Sequence, residues 1–201
     1  MVQKLDTLIE TASQTAGPYV HIGLMPTYAG NGGYYDEEIA TTPFVDESKA
    51  KGDVIEIVGS VFDGTGWAMR DALIESWQCD SAGVFPGAEG ADPAFTGHCR
   101  FAADADTGEF TLRTVKPGSY MGRGGVKSAP HISLWVVARG INIGLNTRIY
   151  FEDEDNANDP VLNRIEQRPR VETLIAKKTA EGIYRFDIRL QGAGETVFLD
   201  L

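Results

Sequence analysis

The chain has 201 residues and carries 18 Lys and Arg against 29 Asp and Glu, a formal net charge of −11. That excess of negative charge repels phosphate backbones and argues against nucleic-acid binding as a main activity. A hydrophobic fraction of 42 % supports one packed domain, no apolar run nears the ~20 residues of a membrane span, and two cysteines cannot build a disulfide framework or a four-cysteine zinc site. The N-terminus has no apolar signal region, so a reduced, cytoplasmic location is expected. The charge is uneven: residues 1–100 hold 5 basic and 15 acidic side chains, residues 101–201 hold 13 and 14. A small anionic ligand would find its positive contacts mainly in the second half.

Residues 1–50 are interrupted by Pro26, Gly30, Gly32, Gly33 and Pro43. They are expected to form an extended arm with loops, packed on the core or on a partner. A β-sandwich domain is expected over 51–201. Residues 54–62 read as a strand buried on both sides, since Val54, Ile55, Ile57, Val58, Val61 and Phe62 are apolar on both parities. Asp63-Gly64 then marks a turn. Residues 72–78 are a further strand. Phe110, Leu112 and Thr114 alternate with polar neighbours, as do Tyr184, Phe186, Ile188 and Leu190, which predicts half-buried strands there. Residues 131–139, 145–151 and 195–199 complete the set. Asp159 and Pro160 read as the cap and first residue of a short helix, and 170–178 as a second beyond Pro169. Strands separated by turns, without alternating long helices, point to an all-β sandwich or barrel.

Phosphate loops, dinucleotide fingerprints, zinc-protease motifs and nucleophile elbows are all absent. The stretch 117–139 carries the most chemistry. His131 opens a run in which Ile132, Leu134, Val136 and Ala138 share one face, and His131, Ser133, Trp135, Val137 and Arg139 share the other. Two imidazoles at positions 131 and 133, with tyrosines nearby, would suit a ferric site, where phenolate and imidazole combine. Position 133 is Ser, whose hydroxyl stays protonated and ligates poorly. The residues alone leave two readings open: a metal scaffold without its ligands, or an ordinary strand with one buried histidine.

Several segments resemble the intradiol ring-cleavage dioxygenases. They are Ser13-Gln14-Thr15-Ala16-Gly17-Pro18-Tyr19, Thr114-Val115-Lys116-Pro117-Gly118, Ala129-Pro130-His131-Ile132, Ala138-Arg139-Gly140-Ile141-Asn142-Ile143 and Gly194-Glu195-Thr196-Val197-Phe198. The likeness is to the noncatalytic alpha-type chain of two-chain enzymes, and it implies a β-sandwich core and a homologous beta chain as partner. In that partner two Tyr and two His would hold a non-haem Fe(III), and protocatechuate would be cleaved with O₂ to 3-carboxy-cis,cis-muconate. The ligand pattern carries over only in part. Tyr120 and His131 match it, whereas Phe85 stands in place of Tyr, Ser133 in place of His, and Ser128 in place of an Arg. No metal and no catalytic residue are therefore expected in this chain. The resemblance places Thr15, Gly17, Pro18, Tyr19 and Arg139 against the substrate in the partner's site, where Arg139 offers a fixed cation to a carboxylate. Arg139 is eight residues beyond His131, roughly 26 Å along an extended strand, too far to serve a site at His131 in its own chain. Two alternatives stay open: a self-sufficient iron-binding dioxygenase using Tyr120 and His131, and a stand-alone β-sandwich binding module.

Overall fold

The computed structural model describes residues 14–33 and 40–200. Residues 1–13 and 34–39 of the expected arm, with Ser13 of the first motif, lie outside the described residues. The strands are β1 (Val54–Phe62), β2 (Leu73–Trp77), β3 (His98–Ala102), β4 (Glu109–Val115), β5 (Tyr120–Met121), β6 (Lys127–Ser128), β7 (His131–Val137), β8 (Leu145–Phe151), β9 (Ile175–Ala180), β10 (Ile183–Arg185) and β11 (Ile188–Arg189). One mixed sheet runs β11-β1-β10-β9-β8-β7-β2-β3, with β4 also paired to β1, and β5 and β6 form a separate ribbon. The sheet curls until Phe101 of β3 meets Phe110 of β4, ring centroids 5.5 Å apart. The fold is thus all-β, a nearly closed barrel-like sandwich. Ile57, Ile74, Leu112, Ile132, Ile149 and Phe151 fill its interior. Among the described residues no helix is long and apolar enough to cross a membrane.

Local pattern explains the strands it predicted. In β4 the residues Phe110, Leu112 and Thr114 point inward and their neighbours outward. β1 is the central strand, antiparallel to β4 from Val54↔Val115 to Ser60↔Glu109 and parallel to β10 and β11. Residues 184–190 make two short strands where the sequence suggests one. At the break, Asp187 Oδ1 accepts a bond from the Ser60 amide at 3.1 Å, taking the place of a ladder bond. The crossing is close: a Cβ on Gly59 would lie 1.8 Å from the Phe186 carbonyl oxygen, so only glycine fits there.

Three other expectations need correction or refinement. Residues 195–199 are not a strand but make a single bridge, Leu199↔Asn146. Side chains satisfy that backbone: Thr147 Oγ1 donates to the Val197 carbonyl, and Thr173 Oγ1 accepts from the Val197 amide. The two short helices expected near residues 159–178 are present, but both are 3₁₀ and their bounds differ. Asp159 Oδ1 accepts from the amides of Val161 and Leu162, as a cap does, but the turns that follow are 3₁₀ segments, Leu162–Arg164 and Arg168–Leu174. Beyond them the chain becomes β9, because Ile175 and Ala176 pair with Tyr150 and Phe151 of β8. Pairing partners there override the helix-forming tendency of alanine and lysine. Finally, part of the N-terminal segment is helical: α1 spans Pro18–Leu24. Its side chains Val20 and Leu24, with Ala16 and Met25, pack on Leu73, Trp135 and Val137. The strand β3, with Cys99 and Phe101 turned inward, was not anticipated.

β7 carries residues of both candidate sites. Its core face carries Ile132, Leu134 and Val136. Its other face begins with His131 and Ser133 and ends with Trp135 and Val137 beneath α1. Two candidate sites therefore lie at opposite ends of one strand.

Candidate functional sites at the two ends of β7

At the first end, the four positions matching a ferric ligand set come together. Gly83, at φ +81°, lets its loop approach so closely that a Cβ would lie 2.2 Å from the Ser119 carbonyl oxygen. This seats Phe85 edge-on against Tyr120, ring centroids 4.9 Å apart. Trp77 stacks on the other side of Phe85 at 6.1 Å. Tyr120 lies 5.6 Å from the His131 ring, and His131 lies 5.3 Å from Tyr150. His131 is 5 % exposed. Its Nδ1 donates to the Ala129 carbonyl at 2.8 Å, a bond that needs the proton on Nδ1. Burial, with the nearby Arg148 charge, pushes its pKa down to about 4, so the ring is neutral at pH 7.

Ser133 sits between Trp77 of β2 and Arg148 of β8 in the strand register. Arg148 Nη1 donates to the Tyr150 hydroxyl at 3.3 Å, and Tyr150 donates to Asp159 Oδ1 at 3.0 Å. These partners were not foreseen. Arg148 becomes visible only once the β7–β8 register is known.

These residues do not fit a ferric ion. Phe85 has no donor atom and its ring fills the space beside Tyr120. Ser133 offers a neutral hydroxyl, and the one phenol and one imidazole left are half of the expected set. Among the described residues no group of three or more His, Cys, Asp or Glu converges. The two thiols are free and buried; burial raises Cys79 to about 11 and Cys99 to about 12, so neither is a ready thiolate.

At the second end, the N-terminal segment is tied to the connection after β7. Thr15 Oγ1 donates to the Ile141 carbonyl at 3.0 Å and accepts from the Gly140 amide at 2.9 Å. The same hydroxyl lies 3.3 Å from the Ala138 carbonyl. Thr15 thus clamps the turn that carries Arg139. Gly17 caps α1 in an extended conformation, and Pro18 is its first residue; the Pro18 side chain lies outside the described residues. Tyr19 projects outward, 86 % exposed. Thr15, Tyr19, Val20, Trp135 and Ile143 line an open groove of about 420 Å³. Arg139 lines the adjoining groove, of about 690 Å³, with Asp63, Thr65 and Gly140. The structure therefore joins the five predicted residues in one region, but with Arg139 and Tyr19 in neighbouring grooves. The Arg139 side chain is 65 % exposed, and its Nε bonds Asp71 Oδ2 at 2.6 Å. Among the described residues Asp71 is its one ionic partner, leaving the outer nitrogens of the guanidinium to other ligands. Asp71 was not singled out from the sequence, since one carboxylate among 29 acidic residues carries no signal of its own.

Residues 25–192 match the sequence model of a protein family described as "Dioxygenase". The chain is 50 % identical to the protocatechuate 3,4-dioxygenase alpha chain of Pseudomonas putida, over 98 % of each chain. It is 32 % identical to the protocatechuate 3,4-dioxygenase beta chain of Burkholderia cepacia, over 72 % of this chain and 67 % of that one. A solved dioxygenase domain from Streptomyces sp. SirexAA-E, part of a fusion with a carbohydrate-binding protein, superposes with a TM-score of 0.55 at 24 % identity, covering 81 % of this chain and 95 % of that one. That superposition supports the fold. The chain belongs to the intradiol dioxygenase family. Within the family it is similar along almost its whole length to an alpha chain, and over a shorter span to a beta chain.

Proposed function

We propose that this chain is the noncatalytic, alpha-type subunit of a two-chain intradiol dioxygenase. It completes the active site of a homologous beta-type chain that holds Fe(III) and cleaves protocatechuate with O₂ to 3-carboxy-cis,cis-muconate. One observation carries this reading: the two ends of β7 are unequal. The end that matches a ligand set lacks donors at Phe85 and Ser133, with the Phe85 ring packed on Tyr120, while the end that matches a substrate wall is open and exposed. A relative with a beta chain of the same family supplies the kind of partner required.

The contribution of this chain is binding and shaping. Protocatechuate is an anion at neutral pH, and a guanidinium recognises a carboxylate through charge-assisted, paired hydrogen bonds. Arg139 gives that contact while Asp71 fixes its Nε and so its direction. Thr15 holds the backbone on both sides of Arg139. Gly17 allows close approach, Pro18 stiffens the entry to α1, and Tyr19 with Ile143 covers the site and excludes water. Metal chemistry remains with the partner.

The self-sufficient reading requires donors at Phe85 and Ser133 that those side chains lack. The test is to purify this chain alone and together with a homologous beta chain, measuring iron per chain and O₂ uptake on protocatechuate. Activity and iron only in the joint preparation support the proposal. Stoichiometric iron and turnover in the isolated chain would overturn it.

A further inference from the structure

The metal-like pocket holds a charge of its own. Arg148 faces Ser133 directly across the β7–β8 pair, where opposite Cβ atoms lie about 5 Å apart. His131 is opposite Tyr150 one pleat further on, so Arg148, Ser133, His131 and Tyr150 share the same face of the sheet. The guanidinium is anchored through Tyr150 to Asp159. Asp159 is itself fixed, since it accepts from the amides of Ala129, Val161 and Leu162. Arg148 Nε is buried and bonds no other group among the described residues. The residue as a whole is half-buried, and a partly desolvated cation with an unused donor persists only where the surrounding structure holds it in place.

We propose that Arg148 is a built-in substitute for the metal's positive charge, and that the pocket excludes metal cations by this charge as well as by the missing donors at Phe85 and Ser133. A guanidinium repels any cation approaching Tyr120 and His131, and in a partly buried site that repulsion is poorly screened. Its one hydrogen bond, to Tyr150 on the same strand, holds it beside the buried carboxylate of Asp159. Restoring the two missing donors without removing the charge therefore leaves metal affinity low.

The test compares full-length variants titrated with ferric ion supplied as a nitrilotriacetate chelate. The readouts are bound iron per chain and the visible tyrosinate-to-iron absorption. The double variant Phe85→Tyr/Ser133→His is expected to bind weakly. Adding Arg148→Gln is expected to tighten binding by about a hundredfold, the scale of one unit charge removed at a few ångströms in a medium of intermediate polarity. Adding Arg148→Lys, which keeps the charge and changes the shape, is expected to leave binding as weak as in the double variant. Equal affinity of the Gln variant and the double variant would refute the proposal. So would tight binding by the Lys variant. Should the Gln variant fail to fold by circular dichroism, Ser133→His and Ser133→His/Arg148→Met, which keeps the stem and removes the charge, are compared for zinc binding by calorimetry. The same direction and at least a tenfold gain are expected there, and no gain would refute the proposal equally.

Discussion

Acidification tests the packing of the ring at the centre of the metal-like pocket. An unfolded histidine titrates near 6.5, while His131 in the fold titrates near 4 because burial disfavours its charged form. The folded imidazole has the lower pKa, so between these values the unfolded chain binds the extra proton. Stability is therefore complete above the unfolded pKa and declines as pH falls toward the folded one. One pKa unit corresponds to about 1.4 kcal/mol, so near pH 4.5 the loss from this residue is about 2.5 kcal/mol relative to pH 8. Carboxylates titrate in the same range, and the variant His131→Gln separates their share. Urea unfolding of both proteins at several pH values gives the difference. The gap in stability between wild type and variant is expected to shrink by about 2 to 3 kcal/mol between pH 8 and 4.5. A gap that stays constant with pH would show that His131 is not buried in its neutral form, and would refute the packing described here.

Arg139→Ala is expected to raise KM for protocatechuate in the assembled two-chain enzyme by about tenfold or more, with kcat less affected, as lost binding of a charged carboxylate would do; steady-state O₂ uptake measures it. Thr15→Val removes an acceptor and a donor from the Gly140–Ile141 clamp. It is expected to loosen the attachment of α1 by about 1 to 2 kcal/mol, seen as faster amide exchange at Gly140 without a change in the core strands. Gly59→Ala places a methyl group where only 1.8 Å is available beside a backbone oxygen. The expected cost is about 3 kcal/mol or more, read as a lower urea midpoint. Tyr150→Phe leaves Asp159 and Arg148 without their shared hydroxyl. The expected loss is about 1 to 3 kcal/mol, measurable in the same unfolding experiment.

Much of the architecture was legible because strands announce themselves through period-two burial and glycine-rich turns. Residues 54–62, 109–114 and 145–151 needed only their own alternation or apolar runs to be recognised. The all-β class and the lack of donors at Phe85 and Ser133 were also legible in residue identity, since a phenyl ring cannot donate whatever surrounds it. Tertiary structure decided what identity could not. Residues 175–180 became a strand because β8 offered an open edge, and 195–199 did not because side chains of Thr147 and Thr173 took its backbone bonds. The break between β10 and β11 arose from a single close crossing at Gly59. The pairing of Arg139 with Asp71 and the facing of Arg148 by Ser133 join residues 68 and 15 positions apart in the chain. Such contacts depend on register and sheet curvature, which are properties of the whole fold, and no local pattern of charge or hydropathy encodes them.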